Sequence, residues 1–140
     1  MIRKFKKEDL ETVANIWLNS NIIAHDFIDD SYWKSNFEMV KEMLPQSDLF
    51  VFEDNGIIKG FVGLEDNFIL GLFVAPNSQG QGVGSQLLDF IKEIYPSLSL
   101  QVYTNNSNAL NFYLKKKFKE VSRSIDKSTN QEEILMAWRK

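Results

Sequence analysis

Residues 70–88 of the chain read LGLFVAPNSQGQGVGSQLL, which is the order of a strand, a glycine-rich turn and a helix. The apolar run from Phe68 to Val74 predicts a buried strand, and Pro76 ends it because proline cannot donate to a sheet ladder. After the turn, Val83 and Leu87 have the spacing of an apolar helix face. The sequence therefore predicts a helix that starts directly at the turn.

Three glycines, Gly80, Gly82 and Gly84, alternate with other residues in this turn. Positions without a side chain let a bulky anion approach the backbone, and the unpaired N–H groups at a helix start favour negative charge. We therefore expect a cradle for a pyrophosphate. The spacing is neither that of the Lys-bearing P-loop nor that of the Rossmann turn. A glycine-rich connection without a ligand is the alternative that these residues leave open.

A resemblance to a known family rests on two motifs. Gln79-x-x-Gly82-x-Gly84 resembles the Gln/Arg-x-x-Gly-x-Gly/Ala signature of the GNAT superfamily of N-acetyltransferases. About one strand downstream, the sequence resembles the family's Asn-x-x-Ala-x-x-Phe-Tyr helix, with Asn106, Ala109, Phe112 and Tyr113 in register. The N-terminal part, which includes Trp17, His25 and Tyr32-Trp33, is similar to that of small bacterial acetyltransferases of the YiaC and YjaB type.

The chain in order predicts an α+β fold with a mainly antiparallel sheet and flanking helices, as in this family. The predicted order is a strand, two helices, three strands, a helix, a strand, a helix and two strands. The second helix runs from Ser31 to Leu44, where Pro45 stops it. Asn55-Gly56 predicts a tight hairpin between the second and third strands. Without a linker or repeat, residues 1–140 are expected to form a single N-acetyltransferase domain.

Composition limits the possible functions. The chain of 140 residues has no Cys and one His, which excludes thiolate or multi-histidine metal sites and a Cys nucleophile. The net charge of −3 argues against nonspecific nucleic-acid binding. The N-terminus lacks a signal-peptide core and no apolar run is long enough to span a bilayer, so we expect a cytoplasmic protein without membrane contact. The oligomeric state, monomer or homodimer, stays open.

The resemblance implies that acetyl-CoA is the co-substrate and that the glycine turn binds its pyrophosphate. A backbone N–H of the preceding strand, at Phe73 or its neighbours, would polarise the thioester carbonyl. The implied contacts with acetyl-CoA are Leu72, Phe73, Val74, Gln79, Gly80, Gln81, Gly82, Val83, Gly84, Ser85, Asn106 and Tyr113. Asn106 is also suited to cap the helix that follows it.

Proton transfer requires an acid and a base. Tyr113 matches the family's general acid, since a phenol is protonated at neutral pH and can donate to a departing thiolate. The general base is open, because the strand before the turn carries no carboxylate where many family members have a Glu. Glu65 or Asp66 acting through water, and His25 or Asp26 from the link between the helices, are the candidates. His25 has a usual pKa near 6.5, but it can equally be a loop histidine with local hydrogen bonds.

The acceptor is expected to be a primary amine, either a protein lysine or a small molecule, and to enter beside the link between the first two helices. The residues predicted to contact it are His25, Asp26, Phe27 and Asp29. A non-catalytic acyl-CoA-binding regulatory module is the main alternative function, because the strand carboxylate is missing. An acetyltransferase toxin acting on aminoacyl-tRNA is disfavoured by the acidic charge and the lack of an extended basic patch.

Overall fold

Seven strands form one mixed sheet in the computed structural model, which describes residues 1–140. The strands are β1 (Ile2–Lys4), β2 (Asp48–Asp54), β3 (Ile57–Glu65), β4 (Phe68–Val74), β5 (Ser97–Tyr103), β6 (Lys119–Asp126) and β7 (Gln131–Arg139). Their spatial order is β1-β2-β3-β4-β5-β7-β6. Only β4 and β5 are parallel neighbours, which follows from the helical crossover between them. The predicted α+β class is confirmed.

Five helices cover the two faces of the sheet. They are α1 (Leu10–Ala24), α2 (Asp30–Ser35), α3 (Phe37–Met43), α4 (Val83–Ile94) and α5 (Ser107–Lys115). The larger apolar core lies under α4 and α5 and includes Leu87, Ile91 and Phe118. A smaller core lies under α1 and includes Val13 and Phe61. Thus α4 and α5 pack on one face of the sheet and α1 packs on the other. The strands between them are buried on both sides.

The prediction of one helix from Ser31 to Leu44 is wrong, because two short helices meet at Asn36. The side-chain amide of Asn36 donates to the carbonyl of Tyr32 at 2.6 Å. Its backbone N–H binds the carbonyl of Trp33, three residues back instead of four. An Asn that bonds to the nearby backbone in this way competes with the helical ladder. Pro45 then lies in a 3-10 turn, Leu44–Gln46, that leads into β2.

The junction between β4 and β5 is short. Only Phe68 with Ser99 and Ile69 with Leu100 are paired, although both strands continue for several residues. On its other side, β4 has an irregularity in its pairing with β3, which leaves Leu70 as an extra residue. The two strands therefore part toward their C-terminal ends and leave an open gap within the sheet.

The helices of the structure are all too short or too polar to cross a membrane. The longest of them is α1 with 15 residues, and its sequence is interrupted by polar side chains.

Candidate active site

A large cavity occupies the gap between β4 and β5. This main cleft has a volume of about 910 Å³ and is bordered by the C-terminal end of α1 and the N-terminal ends of α4 and α5. Among the predicted site residues, the cleft is lined by His25, Asp26, Leu72, Phe73, Val74, Gln79, Gly80, Gly82, Val83, Gly84, Ser85, Asn106 and Tyr113. The structure therefore brings together residues from four separate parts of the chain.

The glycine turn presents a series of free backbone donors to the main cleft. None of the N–H groups of residues 79–85 donates a hydrogen bond to another group of the chain. The first intrahelical bond of α4 is made by Gln86, whose N–H donates to the carbonyl of Gly82 at 3.1 Å. Seven free donors next to the positive end of a helix dipole can bind the oxygens of a pyrophosphate.

Two of the turn glycines are required by the backbone conformation. Gly80 and Gly82 have φ of +79° and +81°, which residues with a side chain rarely adopt. A Cβ on Gly80 would meet nothing within 4 Å, and one on Gly82 would meet only Gln86 Nε2 at 3.9 Å, so the space beside the turn is open. Gly84 differs, since its Cβ would lie against Leu72 and Val74 at 3.6 Å, which is ordinary packing distance.

Tyr113 lies on α5 with its ring against Phe112 and Phe118, at centroid distances of 5.1 and 5.4 Å. The residue is 7% exposed, lines the main cleft and makes no side-chain hydrogen bond within the chain. Burial raises the pKa of the Tyr113 phenol above its usual value, so the hydroxyl keeps its proton at neutral pH. A protonated phenol without a protein partner is available to donate to a group bound in the cleft.

Asn106 joins the two sides of the cleft. Its Oδ1 accepts a hydrogen bond from the N–H of Ala109 at 3.2 Å and so caps α5. Its Nδ2 lies 3.1 Å from Nε2 of His25, in the link between α1 and α2. Because Oδ1 is already the acceptor for Ala109, the amide nitrogen must be the donor and His25 Nε2 the acceptor. This assigns the proton of the neutral imidazole to Nδ1.

His25 is enclosed by aromatic rings. Trp33 stacks on it at a centroid distance of 5.2 Å, and Phe27 and Tyr103 contact its ring edge to face at 5.6 and 5.2 Å. His25 is 8% exposed, and its buried Nδ1 has no partner. Burial lowers the pKa of His25 from 6.5 to about 4. His25 is therefore neutral at physiological pH. Its one acceptor nitrogen, Nε2, already accepts a hydrogen bond from Asn106.

The other residues predicted to contact the acceptor are spread over the link. Asp26 is exposed and lines the main cleft, whereas Phe27 and Asp29 do not line it. Asp29 caps α2, because its Oδ1 accepts from the N–H of Ser31 at 2.9 Å. That hydrogen bond lowers the pKa of the Asp29 carboxyl. Gln81, predicted to contact acetyl-CoA through the turn, has its backbone in the row of free donors but does not line the cleft either.

Glu65 lies outside the main cleft. It ends β3 and borders a second cavity of about 480 Å³ between the sheet and the helices α1 and α3. The cavity is also lined by Trp17, Phe61, Phe73, Asp48 and Asp66. Phe73 belongs to both cavities, and a Cβ at Gly71 would overlap its ring. The absence of a side chain at Gly71 thus lets the Phe73 ring lie between the two cavities.

Several residues of the main cleft are absent from the sequence prediction. They are Ser20, Ile23 and Ala24 at the end of α1, and Asn105, Ser107, Asn108 and Phe112 around the start of α5. The hydroxyl of Ser20 donates to the carbonyl of Val74 at 3.1 Å, and Gln79 Nε2 donates to the same oxygen at 3.3 Å. The Ser20 contact joins residues 54 positions apart, so no local pattern of the sequence announces it. No group of three or more potential metal ligands occurs in the structure.

Comparisons with known proteins agree with this geometry. The family described as Acetyltransferase (GNAT) domain matches residues 45–120. Peptidyl-lysine N-acetyltransferase YiaC of Escherichia coli (strain K12) is 31% identical, over 99% of this chain and 96% of YiaC. The solution structure of apo-form YjaB from Escherichia coli is similar with a TM-score of 0.88 and 29% identity, over 99% of this chain and 96% of that one.

A more distant structure shows the same fold with a ligand. The acetyltransferase yncA from Salmonella typhimurium, solved with its cofactor acetyl-CoA, has a TM-score of 0.70 at 16% identity, over 99% of this chain and 92% of that one. Together, fold and comparisons define an acetyl-CoA-dependent N-acetyltransferase. The chain belongs to the GNAT acetyltransferase family.

Proposed function

We propose that the protein transfers the acetyl group of acetyl-CoA to the side-chain amine of a lysine in another protein, by direct attack within a ternary complex. The observation that carries this proposal is the gap between β4 and β5, with seven free backbone donors on one side and the Tyr113 hydroxyl on the other. The lysine acceptor is supported by YiaC and YjaB, which are peptidyl-lysine N-acetyltransferases and cover most of the chain.

The residues that hold acetyl-CoA in this proposal are those of the turn and the two strand ends. The free N–H groups of residues 79–85 fit the negative charge of its pyrophosphate. The exposed edge of β4 from Leu72 to Val74 fits the amide-rich arm, and a backbone N–H there polarises the thioester carbonyl. Asn106, whose amide is fixed by His25 and Ala109, lies at the opposite wall. Acetyl-CoA supplies an acyl group activated as a thioester.

Tyr113 acts as the general acid. A bond forms between the amine nitrogen and the carbonyl carbon while the bond from that carbon to sulfur breaks, and the Tyr113 hydroxyl gives its proton to the leaving thiolate. The nitrogen, which is positively charged after the attack, releases a proton as the amide forms, and this proton restores the Tyr113 phenol through water. The raised pKa of Tyr113 supports this role, because the residue enters each turnover protonated and is readily reprotonated afterwards.

The ammonium group of the acceptor loses its proton to water in this mechanism. Glu65 borders a cavity next to the reaction site and can receive that proton through water. His25 is less suited to be the base, because burial lowers its pKa to about 4 and its Nε2 is already bonded to Asn106. We assign His25 to positioning, since it holds the amide that caps the helix bearing Tyr113.

The acceptor lysine approaches from the side of the α1–α2 link, where Asp26 is exposed at the rim of the main cleft and Phe27 and Asp29 follow it. Residues 1–140 act as one acetyltransferase domain, because a single sheet runs through them from β1 to β7. Dependence on acetyl-CoA supports a cytoplasmic location. The fold leaves β1 and β6 as sheet edges, which are the surfaces on which a homodimer of this chain would pair.

The test is acetylation of lysine peptides with acetyl-CoA. Because the chain has no cysteine, a thiol reagent measures released CoA without a signal from the enzyme. We expect CoA release that depends on the peptide, with acetyl-lysine located by mass spectrometry, and no release with a peptide whose lysines are replaced by glutamine. Tight acetyl-CoA binding without turnover on any peptide or small amine would instead support the regulatory acyl-CoA-binding module.

A further inference from the structure

The second cavity combines apolar walls with unpaired negative charge. Its walls include the aromatic rings of Trp17, Phe61 and Phe73. Two acids at the end of β3, Glu65 and Asp66, also line it, and no Lys, Arg or His does. Asp48 lines it as well, but strand alternation places its side chain with that of Phe50 on the opposite face of the sheet. A long side chain with an apolar stem and a positive end matches this surface, because the stem can lie on the rings while the charge stays at the solvated mouth.

The carboxylates of Glu65 and Asp66 are not engaged elsewhere in the protein. Neither takes part in an ion pair or in a side-chain hydrogen bond, whereas seven other acids of the chain form ion pairs, as Asp9 does with Arg3 and Asp89 does with Lys116. With two unpaired acids and no basic residue in its lining, the mouth of the cavity carries net negative charge. The charge of the cavity is therefore complementary to a basic side chain.

The second cavity shares one lining residue with the main cleft. Phe73 lines both the main cleft and the second cavity, and it belongs to the strand edge that would hold the thioester. A peptide that delivers a lysine to this strand edge crosses β4, and the residues beside that lysine then lie over the second cavity. A free amino acid or small amine does not extend so far.

We infer that the second cavity is a specificity pocket for an arginine or lysine side chain adjacent to the acceptor lysine in the substrate protein. The inference rests on the proposed function and names a feature of its substrate, a second basic residue at a fixed distance from the acetylated one. The reacting lysine and the flanking basic residue occupy different cavities, so their contributions to kcat/KM are separable.

The first experiment moves one arginine along a blocked peptide that contains a single lysine among serine and alanine residues. Wild-type kcat/KM should show a maximum at one position near the lysine, roughly fivefold above the peptide with norleucine at that position, since norleucine keeps the stem but not the charge. A flat profile across all positions overturns the pocket while leaving the acetyltransferase activity itself intact.

The second experiment removes the charge without changing shape. The double variant Glu65→Gln and Asp66→Asn replaces two exposed, unpaired acids, and Asn tolerates the left-handed φ of +54° at position 66. The ratio of arginine to norleucine peptide should fall to about one. The double variant Glu8→Gln and Glu93→Gln is the matched control, because it removes two exposed, unpaired acids that border neither cavity, and it should keep the preference. Preference retained in the Glu65 and Asp66 variant overturns the inference.

A binding measurement makes the result independent of turnover. The probe is the best arginine peptide with its lysine replaced by glutamine, titrated into ¹⁵N-labelled protein. Amide signals of Gly63 and Gly71 and the indole N–H signal of Trp17 should move, because all three residues line the second cavity. The same titration of the Glu65 and Asp66 double variant should leave them in place. Movement confined to other residues would show that the basic side chain binds elsewhere.

Discussion

The main cleft and the second cavity share Phe73 as a lining residue, yet they are made from different chemical material. The cleft draws its binding groups largely from the backbone, through the free N–H groups of residues 79–85 and the edge of β4. The second cavity offers side chains, three aromatic rings and the two carboxylates of Glu65 and Asp66. A co-substrate that never changes suits a backbone site, whereas acceptor recognition depends on side chains that can be exchanged without disturbing the fold.

The largest effect should come from Tyr113, the side chain of the cleft that we propose as the general acid. Tyr113→Phe keeps the ring packing on Phe112 and Phe118 but removes the hydroxyl proton. We expect kcat to fall by roughly 10²–10⁴-fold, the usual contribution of a positioned proton donor. Acetyl-CoA affinity by calorimetry and thermal stability should stay close to wild type, since the hydroxyl has no partner within the chain.

Two results would contradict this role for Tyr113. Turnover equal to wild type with the best peptide would show that the thiolate leaves without an acid from this residue. A large loss of stability would show that the hydroxyl is a structural donor instead. Equal losses in kcat and kcat/KM are the expected pattern for an interaction made only in the transition state.

A smaller effect tests whether acetyl-CoA binding depends on the backbone of the glycine turn. Gly82→Val places a side chain at φ of +81° beside the open turn and should weaken acetyl-CoA binding by roughly 30-fold or more, about 2 kcal/mol. Gly56→Val is the control, because it places the same side chain at a similar φ of +78° in a hairpin turn that borders neither cavity, with nothing within 4 Å of its Cβ. Unchanged affinity in a folded Gly82→Val protein, measured by calorimetry, would falsify the turn as the pyrophosphate site.

The sequence was informative about the cleft because backbone sites impose strict residue types. Only glycine readily takes the left-handed conformation of Gly80 and Gly82, so this turn leaves a recognisable pattern. The strand-to-helix order follows from the same stretch, whereas Tyr113 was identified only through its match to the family's Asn-x-x-Ala-x-x-Phe-Tyr helix. By contrast, Ser20 reaches Val74, and His25 reaches Asn106, across 54 and 81 residues. Such contacts depend on how α1 and its link pack, which no local spacing encodes. The break at Asn36 was missed because helix spacing continues through it.

His25, in the wall of the main cleft, provides a third test. Its folded pKa of about 4 lies below the unfolded value of 6.5, so the unfolded chain takes up the proton first as the pH falls. The stability contributed by neutral His25 is fully present above pH 6.5 and should decline by roughly 2–3 kcal/mol toward pH 4. Urea unfolding across this range should show that decline in wild type and a shallower one in His25→Gln, which keeps an acceptor for Asn106.

Nuclear magnetic resonance gives a direct check, because the chain contains one histidine and its signals need no assignment. The imidazole should stay neutral down to about pH 4, with the proton on Nδ1. An ordinary titration near pH 6.5, or a proton on Nε2, would contradict the bond to Asn106 and return His25 to the set of possible bases.

The smallest effect is expected at the acceptor side of the main cleft. Asp26→Asn should raise the KM for a lysine peptide about threefold and leave the KM for acetyl-CoA unchanged, because the charge is exposed and screened. Asp29→Asn is a useful comparison, since an amide oxygen can still cap α2. Steady-state kinetics with both substrates varied separates the two constants. If neither variant alters the peptide KM, the lysine enters by another route.

The two residue pairs that join β4 to β5 also bear on how long the enzyme survives in a cell. They connect a four-stranded part of the sheet to a three-stranded part, so the backbone ladder joins the two parts at only two places and the core under α4 and α5 supplies the other contacts. A ligand in the gap would contact both parts, and binding only to the folded chain at a 100-fold excess over its Kd adds about 2.7 kcal/mol to stability. We expect that, when acetyl-CoA is scarce, the chain loses this support and becomes a better substrate for proteases. Acetyl-CoA supply would then affect the amount of enzyme as well as its rate.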